Sequence, residues 1–440
     1  MIETIYHEPG GNSDKLNAIL GRTTDFTPDL EVAVRDIILD VRLRGDAAVV
    51  DYTENFDKVR FNEDQLRVPE ADIERGYKNS DPAFIEGLEA AAENIERFHK
   101  VQTQNSWFFE DGDGVVLGKR VLPIDSTALL IPGSSAPLFS TLLMAAIPAK
   151  IAGVSRICMA TPPQPDGSVH SAVLAAAHMM GITELYRVFG AQAVAALAYG
   201  TEAIAPVDKL VGPGHPSVQI AKKMVYGTVD IDMVAGPSEI VILADETAEP
   251  IFVAADLLSQ AEHGSGFEAS VCITTSSELA ASVSSELDRQ IADLSHNENI
   301  SRALDSFGAI VIVNNLEDGI ELANQIAPEH LELIVEDPWS KLDRIRHAGA
   351  VFLGASSSEP VGDYFAGTNH ILPTARSARF ASSVGVETYL KNMSIVSYTN
   401  QRLQKCGGQI IALAEAEGLD AHANAIRVRL SHPYINRPTH

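Results

Sequence analysis

The stretch "ALLIPGSSAPLFSTLLMAAIPAKIAGVSRICMATPP" (residues 128–163) sets the grammar of the chain. A short apolar run, Ala128 to Ile131, stops at Pro132-Gly133 and reads as a buried strand followed by a turn. The apolar segment 136–154 is too long for a strand and reads as a helix. "RICMATPP" (156–163) is a strand again. Strands separated by a helix of this length are parallel, because the chain must cross back over the sheet before it can pair again. The alternation continues through "SAVLAAAHMMGI" (171–182), "ELYRVFG" (184–190), "AQAVAALAYG" (191–200), "DKLVGPG" (208–214) and "VQIAKKMVYG" (218–227). It starts afresh at "EIVILAD" (239–245), passes through "PIFVAADLLSQAEHG" (250–264) and runs to "AVFLGA" (350–355).

The fold expected is therefore α/β, with two open, mostly parallel-sheet, Rossmann-like units at 128–235 and 236–380. The region 1–127 reads as mainly helical and is expected to pack on the second unit. Residues 381–440 read as a small helical tail domain. Open sheets of this kind bind ligands beyond the carboxyl ends of their strands. No G-x-G-x-x-G follows any strand, so the usual dinucleotide fingerprint is missing. "IPGSSAP" (131–137) and "VGPGHPS" (211–217) are glycine turns after strands that could offer backbone N–H groups to a phosphate.

Composition sets further bounds. The 440 residues are 45% hydrophobic and 21% charged, and 33 basic against 59 acidic residues give a formal charge of −26. That balance repels phosphate backbones and argues against a nucleic-acid partner. The N-terminus has no basic start followed by an apolar stretch, and no apolar run is long enough for a bilayer, so neither a leader nor a membrane span is expected. Cys158, Cys272 and Cys406 are few, odd in number and far apart, which fits a reducing, cytoplasmic setting and structural thiols.

Four constellations could carry chemistry. In "ANQIAPEHLELIVED" (323–337) a helical pattern ends at Ile326, and Glu329 and His330 stand side by side where a helix hands over to a strand. In "LLSQAEHG" (257–264) Gln260 and His263 are three apart on one helical face, as half of a metal site would be. "EPVGDYFAGTNHIL" (359–372) brings Asp363, Asn369 and His370 into a turn-rich segment after a strand, and so near that strand's carboxyl end. In "AEAEGLDAHANAIRVRL" (414–430) His422 follows Glu417 by five residues. Ordinary surface polarity would explain each of these alone. Together they suggest mixed nitrogen and oxygen ligands for a borderline divalent ion, zinc being the default. H-E-x-x-H is absent, so a common zinc protease is not supported.

In order along the chain, "GPGHPSVQIAKKMVYGTVDIDMVAGPSEIVILAD", "AADLLSQAEHG", "IAPEHLEL", "GDYFAGTNHILPT" and "EGLDAHA" resemble the histidinol dehydrogenase family, over about residues 30–430. The resemblance implies a zinc-dependent, NAD-linked oxidoreductase of histidine biosynthesis that takes L-histidinol through histidinaldehyde to L-histidine. It implies an intertwined homodimer in which the tail of one subunit completes the other's site. The first α/β unit would be the cofactor side, and the second would carry metal and catalytic residues. The implied ligands of one zinc per subunit are Gln260, His263, Asp363 and His422. Ser238, His370 and Glu417 match substrate-contacting positions, and Glu329 and His330 match the catalytic pair.

Alcohol oxidation needs a base for the hydroxyl proton as hydride leaves, and a neutral imidazole suits that role. His330 is the candidate, with Glu329 activating water for the aldehyde step. An aldehyde can instead be oxidised through a cysteine thiohemiacetal, but no cysteine lies in any of these motifs. The cofactor side departs from the family pattern. Leu130 stands where a tyrosine is usual, Phe189 where a glycine is usual and His215 where an asparagine is usual, while Gln192 is kept. NADP is therefore conceivable beside NAD. Two other readings stand beside the first. One is a paralogue that oxidises another small polar alcohol, such as a sulfonated diol. The other is a catalytically silent zinc-binding protein.

Overall fold

The computed structural model describes residues 2–432 apart from 9, 10, 12, 24, 25, 134–136, 264, 265 and 296; Ser134 of the first glycine turn lies outside the described residues. Two compact units divide the chain, Met1–Gln102 with Ile124–Tyr389, and Thr103–Pro123 with Leu390–His440.

The larger unit holds both parallel sheets. The first has five strands in the order Leu185–Tyr186, Arg156–Ala160, Ser126–Leu130, Lys209–Val211, Asp230–Ile231. Its central strand is buried from Thr127 to Leu130. Leu129 faces a core with Met159 and the helix Phe139–Ala152, while Ala128 and Leu130 face the opposite core with Cys158 and Val194. Side chains alternate across a strand, so a fully apolar run is what a sheet covered on both faces requires. The helix Phe139–Ala152 is buried from Ser140 through Ala149, which explains why its sequence is apolar on every face.

The second sheet has six strands in the order Glu3–Tyr6, Ala309–Ile312, Ala269–Thr274, Glu239–Ala244, His330–Ile334, Ala350–Leu353, all parallel. Its edge strand Glu3–Tyr6 comes from the N-terminal region, which is thus not helical throughout. The region's first helix, Asp14–Leu20, packs on the second unit as expected, with Leu16 and Ile19 in the core around Val241, but the longer helices pack elsewhere. Pro28–Arg44 lies on Ala191–Tyr199 and Pro216–Val225, and Glu70–Lys78 lies on Ser171–Met179. Pro82–Lys100 lies on Phe139–Ala152. These are helices of the first sheet, not the second. The reason is visible in the buried stripes: Val34, Ile37, Ile38 and Val41 join the core around Val194, and Leu88, Ala91 and Ile95 join the core around Leu129.

The smaller unit corrects the picture of a purely helical tail. Leu390–Ser397 pairs antiparallel with Val116–Pro123, which pairs antiparallel with Trp107–Glu110. The strand Leu390–Ser397 is largely exposed, so its sequence lacks the apolar alternation that would mark it. Two helices follow, Asn400–Ala416 and Asp420–Ser431, packed as a hairpin in which Gly407 faces Leu430. Among the described residues, no helix is long and apolar enough to cross a membrane. Cys158 and Cys272 are buried and unbridged, and Cys406 is half-buried and free.

Candidate active site

The helix Leu316–Ile326 ends at Ala327, whose backbone is left-handed at φ 50° and ψ 59°. Such a conformation costs a non-glycine residue about 1–2 kcal/mol and is tolerated only where surrounding packing fixes it. Ala327 is wholly buried. Pro328 then prevents the helix from resuming, and the strand His330–Ile334 begins two residues later. This abrupt handover buries Glu329 and His330 together.

One residue on the neighbouring strand grips both. The backbone N–H of Glu239 donates to Glu329 Oε2 at 3.1 Å, and the Glu239 carbonyl lies 3.1 Å from His330 Nδ1. Gln260 Oε1 is 2.9 Å from the same nitrogen. Nδ1 therefore carries hydrogen, and Nε2 is the free end of the ring. Nε2 is buried without a hydrogen-bond partner and lies 3.8 Å from Asp363 Oδ1.

The electrostatics follow from this crowding. Burial pushes the Glu329 carboxyl up to about 7, against the opposing pull of His330. Burial works against charge on His330, but Glu329, Asp363 and Glu359 together outweigh it and raise the imidazole to about 10. Burial opposes charge on Asp363 as well, yet the His330, His370 and His263 imidazoles hold it below the usual carboxylate range. Burial lowers His370, whose Nδ1 faces the Asp363 carbonyl at 3.0 Å and whose Nε2 meets Thr141 Oγ1 at 3.1 Å.

The site lies at the amino ends of the second sheet's strands, not at their carboxyl ends. His330 and Glu239 are the first residues of their strands. The helix Pro250–Ala261 crosses back between two parallel strands, so its last turn returns to the amino edge with Gln260. His263 lies just past that helix, exposed, with its Nδ1 3.5 Å from Gln260 Nε2. Asp363 also arrives by doubling back. After the strand Ala350–Leu353 the chain turns at Glu359–Val361 and a π-helical turn, Gly362–Ala366, and Glu359 N–H is tied to Glu332 Oε1 at 2.8 Å. Single π turns of this kind favour functional sites.

Sequence reading missed Glu359. Its carboxylate receives the Ser259 hydroxyl at 2.6 Å, and burial raises it. With His330 and Asp363 it forms a group whose possible ligand atoms all lie within 4.8 Å. The spacing Glu359-x-x-x-Asp363 was a signal, masked by Pro360 and Gly362. The geometric group thus shares only Asp363 with the zinc set implied by the resemblance, although Gln260 and His263 adjoin it. The donors fit a divalent cation on one observation: among the described residues the ion-pair partners of the largely buried Asp363 are imidazoles rather than a lysine or arginine. Mixed imidazole and carboxylate or amide donors suit zinc.

Ser238 is half-buried and directly precedes Glu239. Glu417 and His422 belong to the smaller unit. Glu417 caps the helix Asn400–Ala416, His422 lies in the first turn of Asp420–Ser431, and both are exposed. On the first sheet, Leu130 ends the central strand with its side chain wholly inside the core, so what it presents outward is backbone. Its carbonyl forces the next turn to be glycine: a Cβ on Gly212, at φ 128°, would sit 2.3 Å from Leu130 O. His215 is exposed at the N-cap of Pro216–Val225. Gln192, in the first turn of Ala191–Tyr199, is fully buried, yet neither its amide oxygen nor its amide nitrogen has a partner. Buried amides are normally satisfied, so this one departs from the rule.

Comparison with known proteins identifies the family. The family model described as histidinol dehydrogenase matches residues 21–430. The chain is 49% identical over 404 residues to histidinol dehydrogenase of Geobacillus kaustophilus, covering 92% of this chain and 95% of that one. It is 48% identical over 429 residues to the Chlorobaculum tepidum histidinol dehydrogenase, covering 98% and 99%. The crystal structure of histidinol dehydrogenase from Elizabethkingia anophelis superposes with a TM-score of 0.91 at 37% identity, over 99% of both chains. With near-complete coverage at this identity, the chain belongs to the histidinol dehydrogenase family.

Proposed function

We propose that the protein oxidises L-histidinol to L-histidine by way of histidinaldehyde, with NAD as acceptor, in histidine biosynthesis. The observation that carries this reading is the buried Glu329–His330 pair, both members gripped by Glu239, with His330 Nε2 turned toward Asp363. One alcohol carbon loses four electrons in two steps, one water is consumed and two reduced coenzymes form. Bound NAD would supply the hydride acceptor for each step, and bound zinc would supply Lewis-acid anchorage that orients the substrate.

The neighbouring carboxylates raise His330 to about 10, so without a cation beside Asp363 its Nε2 carries a proton at neutral pH. In the neutral form, which a bound cation would favour, Nε2, the ring nitrogen without a partner, takes the hydroxyl proton as hydride leaves the carbinol carbon. Glu329, raised to about 7, is close to half ionised at neutral pH. As carboxylate it takes a proton from the water that adds to the aldehyde, and His330, once its first proton has passed from Nε2 to solvent, deprotonates the hydrate for the second hydride loss. Cys158 and Cys272 are no substitutes, because burial pushes both thiols up to about 12.

Gln260, His263 and Asp363 would hold the zinc, with His422 supplied by a second copy in an intertwined homodimer. The exposure of Glu417 and His422 supports that assignment, since neither is occupied within its own unit's core. Ser238, His370 and Glu417 would contact the substrate. Gln192, the Leu130–Gly212 backbone and His215 would line the coenzyme site on the first unit. Unbridged cysteines fit a reducing cytoplasm.

The test is absorbance at the reduced-nicotinamide band with zinc, L-histidinol, and NAD or NADP. Two equivalents of reduced coenzyme per histidinol, abolished by a chelator, are expected. Signal only with a different small alcohol would replace the substrate assignment.

A further inference from the structure

Arg22 lies more than three hundred residues from the catalytic pair in sequence, yet it is buried beside it. Its Nε is 3.2 Å from Glu239 Oε1, its Nη1 donates to the Phe267 carbonyl at 2.6 Å and its Nη2 to the Pro237 carbonyl at 3.0 Å. The guanidinium face lies 4.9 Å from the centre of the Phe307 ring. Three directions of donation from one plane fix three points: the carbonyl before Ser238, the side chain of Glu239, and the turn before the strand Ala269–Thr274. A fork of this shape is available only to arginine.

The loop carrying Ser238 is anchored at each step. Ala235 N–H donates to Gln219 Oε1 at 2.9 Å, Gly236 N–H donates to Thr374 Oγ1 at 2.5 Å, and Arg22 holds the carbonyl of Pro237. The next peptide units belong to Ser238 and Glu239. The N–H of Glu239 holds Glu329, and its carbonyl fixes the proton on His330 Nδ1. Arg22 touches neither catalytic side chain. It sets the backbone that aims both.

We propose that Arg22 is a positioning residue for the Glu329–His330 pair, acting through Glu239. This inference rests on the oxidation reading above. It predicts an effect on turnover out of proportion to any effect on binding, because displacements of about 1 Å at reacting groups can cost about 10²-fold in rate.

The test uses full-length protein loaded with zinc and NAD. Arg22→Lys keeps the charge for Glu239 but cannot reach both carbonyls. Arg22→Met combined with Glu239→Gln removes the pair without leaving a buried charge uncompensated. Both variants are expected to fold and bind zinc, with KM for L-histidinol within about 3-fold of wild type and kcat lowered about 10- to 100-fold. Wild-type kcat in either folded, zinc-loaded variant overturns the proposal. Loss of the fold in both also overturns it, by assigning Arg22 to stability alone. Wild-type protein run alongside separates the two questions: if it fails on L-histidinol, the oxidation reading falls, whatever the variants do.

Discussion

His330 Nδ1 and Gln260 Oε1 lie 2.9 Å apart, joining the proposed general base to a residue of the implied metal set. An amide oxygen has two lone pairs, so Gln260 can accept from His330 and still face a cation. Its amide nitrogen is turned toward His263 Nδ1 at 3.5 Å. One side chain thus fixes the base's tautomer and adjoins the neighbouring imidazole.

Gln260→Ala should therefore damage two functions at once. Zinc retention falls, and kcat stays about 10- to 100-fold low even at saturating zinc, as losses of ligand-orienting contacts do. Metal content and kcat measured across a zinc titration check this. A variant whose kcat recovers fully once zinc is added would reduce Gln260 to a ligand only.

His330 and His263 divide the work differently. His330 is buried beside Glu329, whereas His263 is exposed past the end of its helix. His330→Ala should lose about 10²–10⁴-fold in kcat, the range for a general base, while keeping most of its zinc. His263→Ala should lose the metal. Equal zinc loss in the two variants would refute that division.

The metal-free protein should lose stability steadily as pH rises. Glu329 has a carboxyl raised from 4.5 to about 7, so the folded state holds its proton while the unfolded chain has released it, and stability drains between those values. His330 has an imidazole raised from 6.5 to about 10, so its contribution is full below 6.5 and gone above 10. Both groups act in the same direction. A zinc ion held at Asp363, as proposed, would oppose the carboxylates that protonate His330, so the metal-loaded protein should show a flatter curve and a ring that titrates lower. Denaturant midpoints from pH 5 to pH 10, with and without chelator, measure the difference. A metal-free protein that gains stability over that range would contradict the charge balance described.

Much of this is legible in the sequence. The apolar runs around Leu129 and Val241 are continuous because both faces of each sheet are covered, and continuity of that kind is readable. The Glu329–His330 handover was readable too, because Pro328 marks it. The level of the site on the sheet was not. A parallel strand has the same sequence grammar at either end, and only the return of Gln260 and Asp363 to the amino edge reveals which end is used. Arg22 was invisible for a simpler reason: its partners Pro237, Glu239 and Phe267 are set by folding, not by spacing. The strand Leu390–Ser397 escaped because exposed antiparallel strands need not alternate.

Gln192 offers the sharpest test of the coenzyme side, because function and stability should part company there. Its amide is fully buried, and both polar atoms lack partners. Each unsatisfied buried polar group costs about 1–3 kcal/mol. Glycine at 190 is what leaves this amide its space, since a Cβ there would lie 2.6 Å from Gln192 Oε1. Gln192→Leu fills a similar volume without the polar atoms. It should raise the melting temperature of the coenzyme-free protein and weaken NAD binding at least about 10-fold, the value of one lost hydrogen bond to a buried ligand. Calorimetry of the free protein, with NAD binding measured on the same preparation, gives both quantities. Higher stability with unchanged NAD affinity would mean that the coenzyme never reaches Gln192, and the site would then have to be sought along the Gly212–His215 turn instead.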